Sequence, residues 1–326
     1  MNQPNSPDLP QPYEHQGHSI RGLTFADTDL ARPANRKTGR PWINLVLLVA
    51  TIISTTVFGA FHYEGFASDF STNSNQSFEL WHGLWYSLTI LAILGSHELG
   101  HYYACRYYRV DASLPYFLPA PILTGTLGAF IRIRQPIPTK RMLFDIGVAG
   151  PIAGFVVAVP ALFLGINLSR LLPLPENFAE TSLSLGEPLL FQFVAWLVWD
   201  SAPDGYSLNL HPMGFAAWFG LLATALNLFP IGQLDGGHIS YATFGRHSTT
   251  VTLVAATLLL ALSLYSPSWI AWAVLMLVML ITVGPRHPRT IDHHIPLDSN
   301  RVLVAVAALV MFILCFTPAP ISFLGN

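Results

Sequence analysis

The sequence is poor in charge: Asp, Glu, Lys and Arg make up 10% of its 326 residues, against roughly a quarter in an average soluble domain. That scarcity excludes an ordinary soluble globular fold. It has two cysteines, Cys105 and Cys315, which excludes a disulfide framework, and both read as small buried apolar side chains. It lacks a basic run, and its net charge is only -2, so no nucleic-acid partner is expected. No internal repeat, coiled-coil heptad or self-contained soluble module is recognisable. The first apolar block follows a polar, proline-rich stretch, so a retained helix is expected there rather than a cleavable signal peptide.

What the sequence does hold is hydrophobic residue, 52% of the total, gathered into blocks at 42–61, 80–94, 142–164, 213–229, 251–265, 269–283 and 302–316. A helix needs about 20 apolar residues to cross a hydrocarbon core. The expected architecture is therefore an all-α polytopic membrane protein of six or seven transmembrane helices embedded in a lipid bilayer. Residues 1–40 are expected to form a mobile cytoplasmic tail, and 41–326 the membrane-embedded domain. If the blocks cross alternately from the inside, every one of the sixteen Lys and Arg residues except Arg170 falls on one side. Such asymmetry marks cytoplasmic loops, which predicts a cytoplasmic N-terminus. The apolar stretch 188–199 is too short for an ordinary crossing and predicts an interfacial or re-entrant helix.

The segment 113–138, SLPYFLPAPILTGTLGAFIRIRQPIP, is apolar but interrupted by Pro115, Pro119, Pro121, Pro136 and Pro138. It cannot form one helix, because an interior proline removes a backbone donor and clashes with the preceding turn. Its β-branched core, with Gly125 and Gly128, predicts a re-entrant or membrane-associated β-hairpin near 114–135. Non-helical backbone at membrane depth is tolerated where protein or a wet cavity satisfies it, so this segment is expected to line a site.

The chemistry sits in LAILGSHELGHYYACR, residues 91–106. Residues four apart on a helix lie about 40° apart around its axis, so His97 and His101 can reach one ion, with Glu98 beside it as a base for metal-bound water. The plainer reading is a polar cluster bonded to neighbouring helices. Against it stands the cost of two imidazoles and a carboxylate within an apolar span. Catalytic zinc takes three protein ligands and leaves one position open. The candidates for the third are Asp145, Asp235, His238 and the trio His287, His293 and His294. Asp235 is favoured, since the helix breaks just before it at a depth matching His97.

These residues resemble the site-2 protease family of intramembrane zinc metallopeptidases. That family pairs an HExxH helix with a downstream N-x-x-P…L-D-G motif, matched here by Asn227, Pro230, Leu234, Asp235 and Gly236. The resemblance implies one zinc ion held by His97, His101 and Asp235, Glu98 as the base that activates zinc-bound water, and Asn227 as a polar contact to substrate or the developing oxyanion. It implies single-pass transmembrane proteins as substrates, cleaved within the membrane. PYFLPAP with GTLGAFIRI, and Asp145 in FDIGVAGPIAG, are similar to the branch without a PDZ module that includes bacterial and plant chloroplast members. Gly232 stands where many members carry a second proline. The segment around Gly125 and Gly128 is expected to hold an unwound substrate strand by backbone pairing. A bacterial cytoplasmic membrane is the expected location. The competing readings are a membrane metal transporter and a non-proteolytic binder of membrane helices. A di-iron desaturase lacks its paired histidine boxes here.

Overall fold

A computed structural model of the chain describes residues 40–69, 78–174, 183–282, 284–285 and 287–323. The expected tail over 1–40 lies outside the described residues except for Arg40.

The described residues are mostly helical. Helix α1 (Pro41–Ala67) opens on a proline, whose fixed φ and missing N–H suit the first helical position. Then come α2 (Leu84–Tyr107), α3 (Lys140–Asn167), α4 (Leu189–Trp199), α5 (Pro212–Leu228), α6 (Asp235–Phe244), α7 (Ser248–Tyr265), α8 (Ile270–Thr282) and α9 (Ser299–Cys315). By length and composition three helical segments can cross a membrane: Pro41–Ala67, Lys140–Asn167 and the nearly continuous Asp235–Tyr265, with mean hydropathies of 2.1, 2.1 and 1.7. The others are apolar but shorter, or, in α2, diluted by His97, Glu98, His101 and Arg106. The outer surface is apolar in keeping with a lipid solvent: Leu45, Ile53 and Val156 are each 60% or more exposed. The stretch expected to be interfacial is the eleven-residue α4.

Besides the helices there are three two-stranded antiparallel sheets, one expected and two not: β1 (Tyr116–Pro119) with β2 (Thr126–Phe130), β3 (Arg170–Pro173) with β5 (Tyr206–Asn209), and β4 (Leu183–Leu185) with β6 (Ile321–Phe323). The first is the hairpin expected near 114–135. Its turn places Gly125 at φ +69°, a region that side chains with a Cβ avoid. Its loose carbonyls are taken up by helix side chains: Ser54 Oγ donates to Gly125 at 2.7 Å, Tyr86 Oη to Thr124 at 2.9 Å, and Asn44 Nδ2 to Leu114 and Pro115 at 3.0 and 2.9 Å. This satisfies the rule for irregular backbone in an apolar setting.

The core is α2, α3 and α5. Small residues let their backbones meet: a Cβ on Gly100 would lie 2.4 Å from the Ala149 carbonyl oxygen, and one on Gly165 2.3 Å from the Gly214 nitrogen. Around this contact Tyr86, Ile90, Phe144, Leu162, Trp218 and Leu221 are fully buried.

Candidate metal centre

Two helices bring the chemistry together. Helix α2 carries His97, Glu98 and His101, all buried in its middle. Helix α5 ends at Leu228, the chain unwinds through Pro230 and through Gly232 at φ +56°, and α6 restarts with Asp235 as its first residue. A Cβ on Gly236 would lie 2.0 Å from the Leu228 carbonyl oxygen, so the start of α6 is folded hard against the end of α5. Helix α3 backs the histidines with glycine. A Cβ at Gly150 would sit 2.1 Å from His101 Nε2, and one at Gly154 3.2 Å from His97 Cβ.

The result is a triangle of donor atoms. His97 Nε2 and His101 Nε2 are 3.1 Å apart, and each is 3.2 Å from Asp235 Oδ2. Among the described residues this is the one group of three or more His, Cys, Asp or Glu whose ligand atoms converge. Nitrogen and oxygen ligands about 2.0 to 2.1 Å from a tetrahedral zinc stand about 3.3 Å from one another, so the triangle has the size the ion requires. Its electronics agree. His101 Nδ1 lies 2.7 Å from the Ile146 carbonyl oxygen, a position only an N–H can hold. In the neutral ring that a metal requires, this tautomer turns the lone pair of Nε2 toward the Asp235 carboxylate and the His97 ring. Facing lone pairs repel, and a cation among them removes the conflict. The three residues thus fit a zinc ion.

Glu98 lies beside the triangle. It lines a polar cavity of about 240 Å³ with His97, His101 and Asp235, and it also lines an adjoining apolar cleft of about 530 Å³ bounded by α2, β2, α5 and α8. Asn227 borders both. Gly128 lines the larger cleft, whereas Gly125 does not: its place is against α1, where a Cβ would meet Thr55 Cα at 2.7 Å. Just past β2, the backbone N–H of Ile131 faces Glu98, and both residues line the smaller cavity. Residue-by-residue reading missed that contact, because nothing in the local pattern of 126–134 says which helix the strand faces.

The remaining candidates are elsewhere. Asp145 is held by Arg301, with Nε to Oδ1 at 2.8 Å and Nη2 to Oδ2 at 2.6 Å, and it accepts from Tyr108 Oη. Burial and that carboxylate push the Tyr108 hydroxyl above its ordinary range. This cluster ties α9 to α3 and is separate from the triangle. His238 borders the polar cavity, and its Nδ1 lies 2.8 Å from His287 Nε2. Burial holds the His287 imidazole below its usual range. His293 and His294 face another cavity with His287. Sequence spacing offered no sign of the His238–His287 pair, which joins residues 49 apart.

Residues 85–265 match the family described as peptidase family M50. The chain is 32% identical over 247 residues to "Probable zinc metalloprotease EGY2, chloroplastic" of Oryza sativa subsp. indica, covering 74% of this chain and 44% of that protein. It is 30% identical over 250 residues to the Arabidopsis thaliana protein of the same name, covering 75% and 43%. With "Probable zinc metalloprotease EGY1, chloroplastic" of Arabidopsis thaliana it shares 31% over 237 residues, covering 70% and 42%. The chain spans under half the length of these curated relatives. Their chloroplastic names overturn the expected bacterial cytoplasmic membrane, and the side richer in Lys and Arg loses its cytoplasmic label with it.

Proposed function

The chain belongs to peptidase family M50, and from that premise we propose that it is a site-2-type zinc metalloprotease that hydrolyses peptide bonds in membrane-spanning segments of single-pass proteins. After the relatives, its location is a chloroplast membrane. Its shorter apolar helices complete a bundle of six or seven crossings, with the hairpin set into it. The observation that carries the reading is the triangle of His97, His101 and Asp235, at 3.1 to 3.2 Å, with a buried Glu98 beside it.

His97, His101 and Asp235 would hold the zinc, which when bound supplies Lewis acidity toward a peptide carbonyl and a water molecule. Glu98 takes the proton from the attacking water on a carboxylate oxygen. The water oxygen bonds to the carbonyl carbon, the C–N bond breaks, and Glu98 returns the proton to the leaving amine. A helical substrate hides its carbonyls in its own hydrogen bonds, so a local stretch must unwind first. Strand β2 pairs with β1 on one side, and its Leu127, Gly128 and Ala129 border the cleft on the other. An opened segment can add to that edge by backbone pairing, with the Asn227 amide as a polar contact near the reacting carbonyl. The apolar cleft wall keeps bulk water from the bond.

A Glu98→Gln variant tests this. Purified wild type and variant are compared for zinc content and for cleavage of a panel of single-pass helices. The variant should keep its zinc and lose turnover by about 10²- to 10⁴-fold. Equal turnover would defeat the reading. A metal transporter would need further donor sites along a path, and among the described residues one group converges. A non-proteolytic binder has no use for Glu98 beside the donors.

A further inference from the structure

A cavity of about 490 Å³ lies apart from the cleft, between the end of α6, the start of α7 and the loop leading to α9. Its polar lining includes Arg246, Arg289, His293, His294, Ser248 and Thr249, and no carboxylate is among the described residues of its walls. Neither Arg246 nor Arg289 has an ion-pair partner among the described residues. Two guanidinium groups without an ion-pair partner among the described residues concentrate positive charge in this cavity. The three loop histidines do not make a second metal centre, because their ligand atoms do not converge.

The loop that supplies half of these groups is built into the fold. Thr290 N donates to Tyr241 Oη at 3.0 Å, and Ile291 N to the Pro138 carbonyl at 2.9 Å. Lys140 N donates to Asp292 Oδ1 at 2.8 Å, and Lys140 Nζ to the Ile295 carbonyl at 2.7 Å. Asp292, the one nearby carboxylate on the loop, is thereby turned to α3. Four anchors within six residues hold Arg289, His293 and His294 in place, so little ordering remains to be supplied on binding.

We propose that this cavity is a binding site for a phosphate-bearing anion, seated between Arg246 and Arg289 with the Ser248 and Thr249 hydroxyls as further donors. Guanidinium groups engage phosphate oxygens through paired N–H bonds, and the volume suits a headgroup-sized ligand rather than a bare halide. The setting favours a lipid headgroup as the source. The cavity opens at the start of the apolar helix α7, and exposed Phe244 and Ile291 lie on the elements that form it. Occupancy would be felt at the metal centre, since the cavity wall His287 is bonded to His238, which borders the polar cavity around Asp235.

The test uses the full chain purified in detergent and an R246Q/R289Q variant. Both side chains are exposed, and neither has an ion-pair partner among the described residues, so the variant should unfold at the same temperature as wild type. Native mass spectrometry follows retention of phosphatidylglycerol against phosphatidylcholine, and calorimetry follows binding of inorganic phosphate. Wild type should favour phosphatidylglycerol and lose about tenfold in affinity per arginine removed. Binding of inorganic phosphate that is lost in the variant, without preference for phosphatidylglycerol, would support the site with a soluble source. Equal retention of both lipids together with no phosphate binding, or a variant that binds as wild type does, would overturn the proposal.

Discussion

Gly150→Ala should strip the metal centre without touching any donor atom. The added Cβ would lie 2.1 Å from His101 Nε2 and 2.5 Å from both Cδ2 and Cε1, whereas ordinary contact begins at 3.4 Å. The ring, or the whole of α3, must therefore retreat by about 1.3 Å. Retreat of the helix would open the packing nearby, where Gly100 lets α2 and α3 touch backbone to backbone. The imidazole is the softer part, but Nδ1 is tied to the Ile146 carbonyl at 2.7 Å, so moving it also strains that bond. Metal sites tolerate about 0.2 Å of ligand displacement, and loss of orienting support alone lowers affinity by about 10- to 100-fold. Affinity for zinc should fall at least that far. Chelator competition followed by elemental analysis measures it. Gly154→Ala is the internal control, because its Cβ would meet His97 Cβ at 3.2 Å, a few tenths of an ångström inside ordinary contact, and most of the affinity should survive. If Gly150→Ala holds zinc as tightly as wild type, the cradle described here is not what positions His101.

Ile131→Pro removes the N–H that faces Glu98 and should lower turnover by about tenfold or more at unchanged zinc content; unaltered cleavage would count against a role for that strand. Asp145→Asn weakens the paired bonds to Arg301 and should cost about 1.5 to 3 kcal/mol of stability, read as a lower unfolding temperature, with zinc content unchanged because Asp145 touches no donor. His211 caps α5 by accepting from Met213 N at 3.2 Å, and burial, with the Arg170 charge, lowers its pKa to about 4. The unfolded chain then binds the proton first, so stability should decline as the pH drops from about 6.5 toward 4. Thermal midpoints at pH 7.5 and 5 should diverge in wild type and converge in His211→Asn; a wild-type midpoint insensitive to pH would refute the assignment.

Much of the site was legible because its signals are local. The spacing of His97 and His101 follows from helix geometry alone, and the proline and glycine between Asn227 and Asp235 announce a broken helix. The hairpin was legible as well, since prolines from Pro115 to Pro138 forbid a helix and the β-branched stretch offers an alternative. What stayed hidden depends on tertiary approach. Gly147, Gly150 and Gly154 read as small residues that let helices come close, and they do. No sequence rule says that what comes close is the imidazole edge of α2 rather than another helix's backbone. Likewise His238 and His287 read only as separate candidates for the third ligand, because a pair 49 residues apart has no periodicity to reveal it. The short strands β3 to β6 went unread for a related reason: each is three or four residues long, and such strands exist only through their partners.

The broken helix does more than place a carboxylate. Asp235 has its position fixed through backbone: Gly236 is pressed against the Leu228 carbonyl and Gly237 against that of Gly232, where a Cβ would approach to 2.0 and 2.3 Å. Any movement of the unwound stretch between α5 and α6 must therefore carry the carboxylate with it. That same stretch forms part of the cleft, through Asn227, Phe229, Ile231 and Leu234. On the function proposed above, a peptide segment entering the cleft would press on the backbone that sets the distance from Asp235 to the two histidines. Interiors packed this closely pass small displacements on rather than absorbing them. Occupation of the cleft and the geometry of the donor triangle are one mechanical problem in this fold, and the glycines after Asp235 are what join them.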